Sequence, residues 1–246
     1  MFSFLKNHPF PVEARFEHSL VLTFAVPASQ VSGRLPPCLV PDTFNDRWAF
    51  IAVALVQARD LRPAGFPALL GNDFFLIGYR IFVRYTNARG QRLRGLFILK
   101  SETNRRKMEW LGNLFTSYNY TTTDIRETRQ DHRWLIESVA SGLEVETSSA
   151  PGPVPLPAGS PFADWTEARR FAGPLPFTFS WKPATRQVLI IEGVRQHWKP
   201  EPVEVIRHRF AFLESLGCPG LILANAFSLQ DIPYRWKKGR LESWNP

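Results

Sequence analysis

Methionine and cysteine are scarce in this chain, with two of each in 246 residues. So few methionines exclude a pliable, Met-lined docking groove. The cysteines, Cys38 and Cys218, each stand beside a proline and have neither CxxC spacing nor a paired His-x-His. Free buried thiols are the expectation, and only their distance decides whether a disulfide forms. Long apolar runs are missing too. Nothing approaches the length of a membrane helix, and the N-terminal MFSFLKNHPFPVEARF holds no signal-peptide core, so a soluble cytoplasmic protein is expected. The chain lacks GxGxxG, GxxxxGK[ST] and GxSxG, and its five histidines (His8, His18, His132, His197, His208) are dispersed without HExxH spacing. No cofactor or metal is implied. Acidic charge is in deficit: 30 Lys and Arg against 22 Asp and Glu give +8. The excess is spread along the chain, with small clusters at Arg105-Arg106-Lys107 and Lys237-Lys238. That reads as a basic surface rather than a nucleic-acid site.

Aromatic residues are abundant, at 13% of the chain with 20 Phe and 8 Trp. Such side chains suit sheet cores and ligand cavities. Strand-like runs recur: Glu17 to Val26, Arg47 to Ala58, Ser117 to Arg126, Arg133 to Val139, Leu143 to Thr147, Thr178 to Trp181, Gln187 to Glu192, Val203 to Phe212 and Leu221 to Ala226. Helices are expected over Ala28 to Leu35, Asn104 to Leu114 and Asp164 to Ala172. In the second of these, Met108, Leu111 and Leu114 would face inward, capped by Thr103 or Asn104. Arg59 to Asn72 and the Pro-rich 148–162 read as loops, and Asp231 to Pro246 as a surface-packed tail. Many short strands without regular strand–helix alternation predict an α+β, mainly antiparallel β architecture closed into a barrel or half-barrel. It is expected as one domain over 1–246.

The chemistry concentrates between Asp73 and Glu102, where DFFLIGYRIFVRY and LRGLFILKSE flank a turn within Thr86 to Arg92. In the first strand Leu76, Gly78, Arg80, Phe82 and Arg84 share one face, and Tyr79 belongs to the other. Two registers are open: one sets Lys100 with Gly78 and Arg80, the other with Tyr79. A slip of one residue exchanges them. A buried lysine beside a guanidinium has the lowered pKa that a Schiff-base nucleophile needs. Lys100 is the candidate nucleophile, Arg80 its cationic neighbour or a carboxylate anchor, and Glu102 an acid/base candidate. Arg84, Tyr79, Phe82, Tyr118 and Tyr120 are candidate ligand contacts. The bland alternatives are a strand-end lysine pointing to water and solvated arginines and tyrosines.

FFLIGYRIFVRY, GLFILKS and the aromatic YNY, together with the earlier LPPCLVPDTF and DLRPAGFP, resemble the uncharacterised bacterial YqjF-like family, a domain of unknown function. That family is similar in fold to acetoacetate decarboxylase, which implies a cone-shaped antiparallel β-barrel with a central cavity. It also implies a Schiff-base lysine next to a second lysine. Here Lys100 is followed by Ser101, so the neighbouring-cation role falls to Arg80. The resemblance implies a decarboxylase or lyase acting on a small keto acid. The alternative is a non-catalytic barrel that binds a small ligand. A homo-oligomer is compatible with either.

Overall fold

The computed structural model describes residues 4–173 and 175–245. Residues 1–3 of the N-terminal stretch, Pro174 and the last residue of the tail lie outside them. Fifteen strands are present among the described residues: β1 Val12–Pro27, β2 Val40–Pro41, β3 Trp48–Pro63, β4 Asn72–Thr86, β5 Arg92–Thr103, β6 Tyr120–Thr122, β7 Arg126–Gln130, β8 Arg133–Ser138, β9 Leu143–Ser148, β10 Phe177–Lys182, β11 Gln187–Arg195, β12 Glu201–Pro202, β13 Glu204–Phe210, β14 Ile222–Trp236 and β15 Arg240–Ser243. Four α-helices accompany them among the described residues: α1 Ser29–Ser32, α2 Arg106–Phe115, α3 Trp165–Phe171 and α4 Ala211–Ser215.

The strands β14-β1-β3-β4-β5-β10-β11 form a ring, because β11 pairs back onto β14 through Gly193–Arg195. Every link is antiparallel except β5 to β10. A second sheet, β13-β9-β8-β7, covers one outer face of the ring. The main core lies between them, with Leu20, Leu22, Ile51, Val53, Ile77 and Tyr79 of the ring packed with Ile136, Val145 and Phe210. The long strands of the ring are therefore buried on both faces. This explains why EHSLVLTFAV and RWAFIAVALVQA show no polar alternation.

The interior of the ring is not filled. Ala52, Ala54, Val56 and Ala58 of β3 point to the inner side, and Val21 of β1 packs with them. Side chains this small on neighbouring strands leave volume that large ones would occupy in a barrel of this size.

Several expected boundaries move. β3 extends through Pro63 into the expected Arg59 to Asn72 loop, with a bulge between Ala58 and Leu61. Ser117 to Arg126 supplies the three residues of β6, which run parallel to β5, and the first residue of β7. The expected strand over Val203 to Phe212 ends at Phe210, where α4 begins. The tail is not merely a surface segment: β14 continues to Trp236 and pairs along most of β1. α3 starts as expected, with the Asp164 carboxylate accepting from Glu167 N at 2.7 Å. Thr103 and Asn104 do not cap α2; Asn104 Oδ1 accepts from Phe75 N at 2.9 Å instead. Both thiols are free, and burial pushes the Cys38 thiol up to about 11. Among the described residues, no helix is long and apolar enough to cross a membrane.

Candidate functional site

The hollow inside the ring is a cavity of 350 Å³ with a mostly apolar wall. β1 contributes Phe16, Ser19 and Val21, and β3 contributes Ala54 and Val56. Leu76 and Arg80 come from β4, Leu96, Ile98 and Ser101 from β5, and Tyr234 and Trp236 from β14. α2 closes one side with Met108, Leu111, Gly112 and Phe115 at helical spacing. Phe115 replaces the expected Leu114, which borders an outer depression with Trp110. Phe115 meets Phe10 edge-on with centroids 5.3 Å apart.

α2 also sets the tyrosines. Asn113 donates to Tyr120 O and accepts from Tyr120 N, each at 2.9 Å. Gly112 lies against the Tyr120 ring, where any Cβ would overlap it. The ring therefore sits over the helix, and Tyr118 and Tyr120 both line the cavity. Burial raises both phenols, Tyr120 to about 12, so they stay neutral donors at ordinary pH.

Arg80 is the centre of the polar wall. Its guanidinium folds back over Gly78, where a Cβ would press on Nε. Among the described residues Arg80 makes no ion pair, and its Nε has no hydrogen-bond partner. Burial pushes its pKa down. Its surface is of intermediate accessibility although protein encloses it, because that surface opens into the cavity. Of ten buried side-chain polar atoms without a partner among the described residues, five belong to residues of this wall: His8 Nε2, Ser19 Oγ, Arg80 Nε, Tyr118 Oη and Trp198 Nε1. Folded proteins satisfy nearly all such atoms, so five of them among the residues around one hollow set this wall apart from the rest of the fold.

Lys100 lies elsewhere. It pairs with Tyr79, and the register shifts directly afterwards so that Arg80 pairs with Ile98. Leu99 is the extra residue of a β-bulge. Beyond it Ser101, not Lys100, joins Ile98 on the cavity face. The Lys100 ammonium donates to Glu102 Oε1 at 2.7 Å and lies 5.3 Å from the Phe212 ring centroid. Tyr79 Oη donates to Glu102 Oε2 at 3.2 Å. Glu102 is 1% exposed, and burial next to its carboxylate raises the Tyr79 phenol well above its usual value.

The candidate residues thus separate into groups. Arg80, Tyr118 and Tyr120 meet in the cavity, while Lys100, Glu102 and Tyr79 meet on the opposite face. Phe82 packs with Phe50, whose ring stacks on Phe162 at 5.4 Å. Arg84 is bound to the fully buried Asp42, as is Arg94 at 2.7 Å. The residues not anticipated from sequence are His8, Ser19, Arg195, Trp198 and Tyr234. They come from distant segments, and only the closure of the ring gathers them. Among the described residues no group of three or more His, Cys, Asp or Glu is placed to hold a metal.

The sequence profile of the DUF2071 family, described as an uncharacterised conserved protein, matches residues 13–242, and the chain belongs to that family. No curated protein matches it in sequence. Solved structures share its fold. Acetoacetate decarboxylase from Legionella pneumophila superposes with a TM-score of 0.62 at 10% identity, covering 96% of this chain and 88% of that one. An acetoacetate decarboxylase-like enzyme from Sphingomonas wittichii gives 0.60 at 10% identity, covering 98% and 96%. The enduracididine biosynthesis enzyme MppR complexed with pyruvate gives 0.56 at 10% identity, covering 95% and 90%. The fold is acetoacetate decarboxylase-like.

Proposed function

For this member of the DUF2071 family we propose that the ring binds a small organic anion. Arg80 holds the anionic group and the apolar wall holds the body. One observation carries the reading: a guanidinium without a counter-ion among the described residues, its Nε unpartnered, lines a half-open cavity, and four further residues of that wall each hold a buried polar atom without a partner. A guanidinium stays charged at neutral pH, so this wall attracts a carboxylate or a similar group, and the neutral phenols of Tyr118 and Tyr120 add donors to it. The cavity lies at the small end of the roughly 300–1,000 Å³ typical of ligand pockets. MppR, a protein of like fold, has been solved in complex with pyruvate, a small organic anion.

A Schiff-base lyase acting on a keto acid is the second reading, with Lys100 as nucleophile. The wall of the cavity contains no lysine among the described residues, and the Lys100 amine is held by Glu102 on the other face. This favours binding without a covalent lysine step.

Calorimetry against a panel of aliphatic and aromatic carboxylates tests the proposal. Binding is expected for the wild type, and Arg80→Gln weakens it by at least about 30-fold while the melting temperature is retained. Unchanged affinity in that variant overturns the role of Arg80. Borohydride trapping with keto acids, read by intact mass, is expected to give no adduct at Lys100. An adduct there that disappears in Lys100→Met establishes the Schiff-base reading instead.

A further inference from the structure

Arg80 is not the only cation of the cavity. Arg195, the last residue of β11, lines the same hollow. Its guanidinium carbon lies 4.6 Å from the Trp198 ring centroid and 5.5 Å from that of Tyr234. One of its N–H groups donates to Leu175 O at 3.0 Å. Arg195 also makes no ion pair among the described residues, and the described wall of the cavity contains no Asp or Glu. Both guanidiniums line the one cavity, and burial, and then the charge of Arg80, depress the Arg195 pKa. The phenols of Tyr118 and Tyr120 are neutral and offset neither charge. Two enclosed like charges without a counter-ion are costly unless something brings the opposite charge.

Resting on the anion-binding reading above, we infer that Arg195 is a second anion-binding residue of the cavity. Its ligand is an organic dianion, a dicarboxylate or a phosphate monoester, carried on an apolar or aromatic body. A guanidinium fork serves both kinds of head group. The body fits the aromatic side of the hollow, where Phe16 stacks on Tyr234 with centroids 4.7 Å apart and Trp236 adjoins both.

Three probes built on one ring test this: benzoate with one charge, and phthalate and phenyl phosphate with two. At neutral pH, calorimetry on the wild type is expected to show at least one dianion binding about tenfold or more tighter than benzoate. Which dianion gains distinguishes the carboxylate from the phosphate source. Arg195→Gln should erase that gain and leave benzoate within about twofold, whereas Arg80→Gln should weaken all three. Arg195→Lys, which keeps the charge, should restore part of the gain, and melting temperatures confirm that each variant is folded. Equal affinity for all three probes in the wild type overturns the inference while leaving the anion cavity standing. So does an Arg195→Gln variant that weakens benzoate as much as the dianions, since a collapsed wall would act that way. Absence of binding for every probe overturns both.

Discussion

The β4–β5 hairpin has two faces that solve opposite problems. On its outer face Lys100, Glu102 and Tyr79 are packed under the second sheet and α4, and each polar group meets a partner. On its inner face Arg80 looks into open volume, and among the described residues it makes no ion pair and its Nε has no hydrogen-bond partner. A satisfied polar cluster in a dry core holds structure together. An unsatisfied one beside a hollow is maintained at a cost to stability and is useful only when a ligand arrives. The same strand pair thus carries a satisfied charge cluster on one face and, on the other, the unpartnered cation on which the proposed binding rests.

Changes on the outer face should affect folding and leave binding alone. The largest effect is expected for Lys100→Met, which leaves the buried Glu102 carboxylate without its cation and costs about 3 kcal/mol in denaturant unfolding. Carboxylate affinity in the same variant should be unchanged, and a loss of affinity would erase the distinction between the faces.

Acid should weaken the cavity side next. Burial lowers His8 from 6.5 to about 4. The unfolded chain therefore binds this proton first as pH falls, and the contribution of neutral His8 to stability is present above about 6.5 and lost progressively down to about 4. The loss reaches about 3 kcal/mol. Comparing the pH dependence of wild type and His8→Asn isolates the effect. Equal slopes would mean that His8 takes up its proton as readily in the fold as in the unfolded chain.

A smaller change is expected for Gly112→Ala. Its Cβ enters the Tyr120 ring, so the ring must move within the cavity. Overpacking costs about 2 kcal/mol, and ligand affinity should fall with it. The smallest effect is Tyr79→Phe, which removes one hydrogen bond to a carboxylate for about 1.5 kcal/mol and should leave the affinity as it was. A drop in affinity there would show that the two faces communicate.

Much of the fold was legible beforehand. The apolar run of RWAFIAVALVQA predicted a buried strand, the turn between Thr86 and Arg92 was located, and Met108 and Leu111 marked the inward face of α2. The resemblance carried by FFLIGYRIFVRY and GLFILKS pointed to the decarboxylase-like fold that the comparisons show. The site was legible only in part. Arg80, Tyr118 and Tyr120 sit close in sequence to the hairpin that drew attention. His8, Arg195, Trp198 and Tyr234 carry no local signature, because what makes them a site is the pairing of β11 with the far end of β14.

Composition and hydrophobic patterning alone settled the class of this protein: a sheet-rich, aromatic-rich chain without nucleotide or metal motifs. Those properties depend on local preference and burial, which periodicity records. Which way Lys100 points was decided only in three dimensions. Side chains alternate every residue along a strand, so the single extra residue at Leu99 sends Lys100 away from Arg80 and brings Ser101 into the cavity. Periodicity cannot reveal such a bulge when both faces of the strand are covered, because either alignment buries apolar side chains.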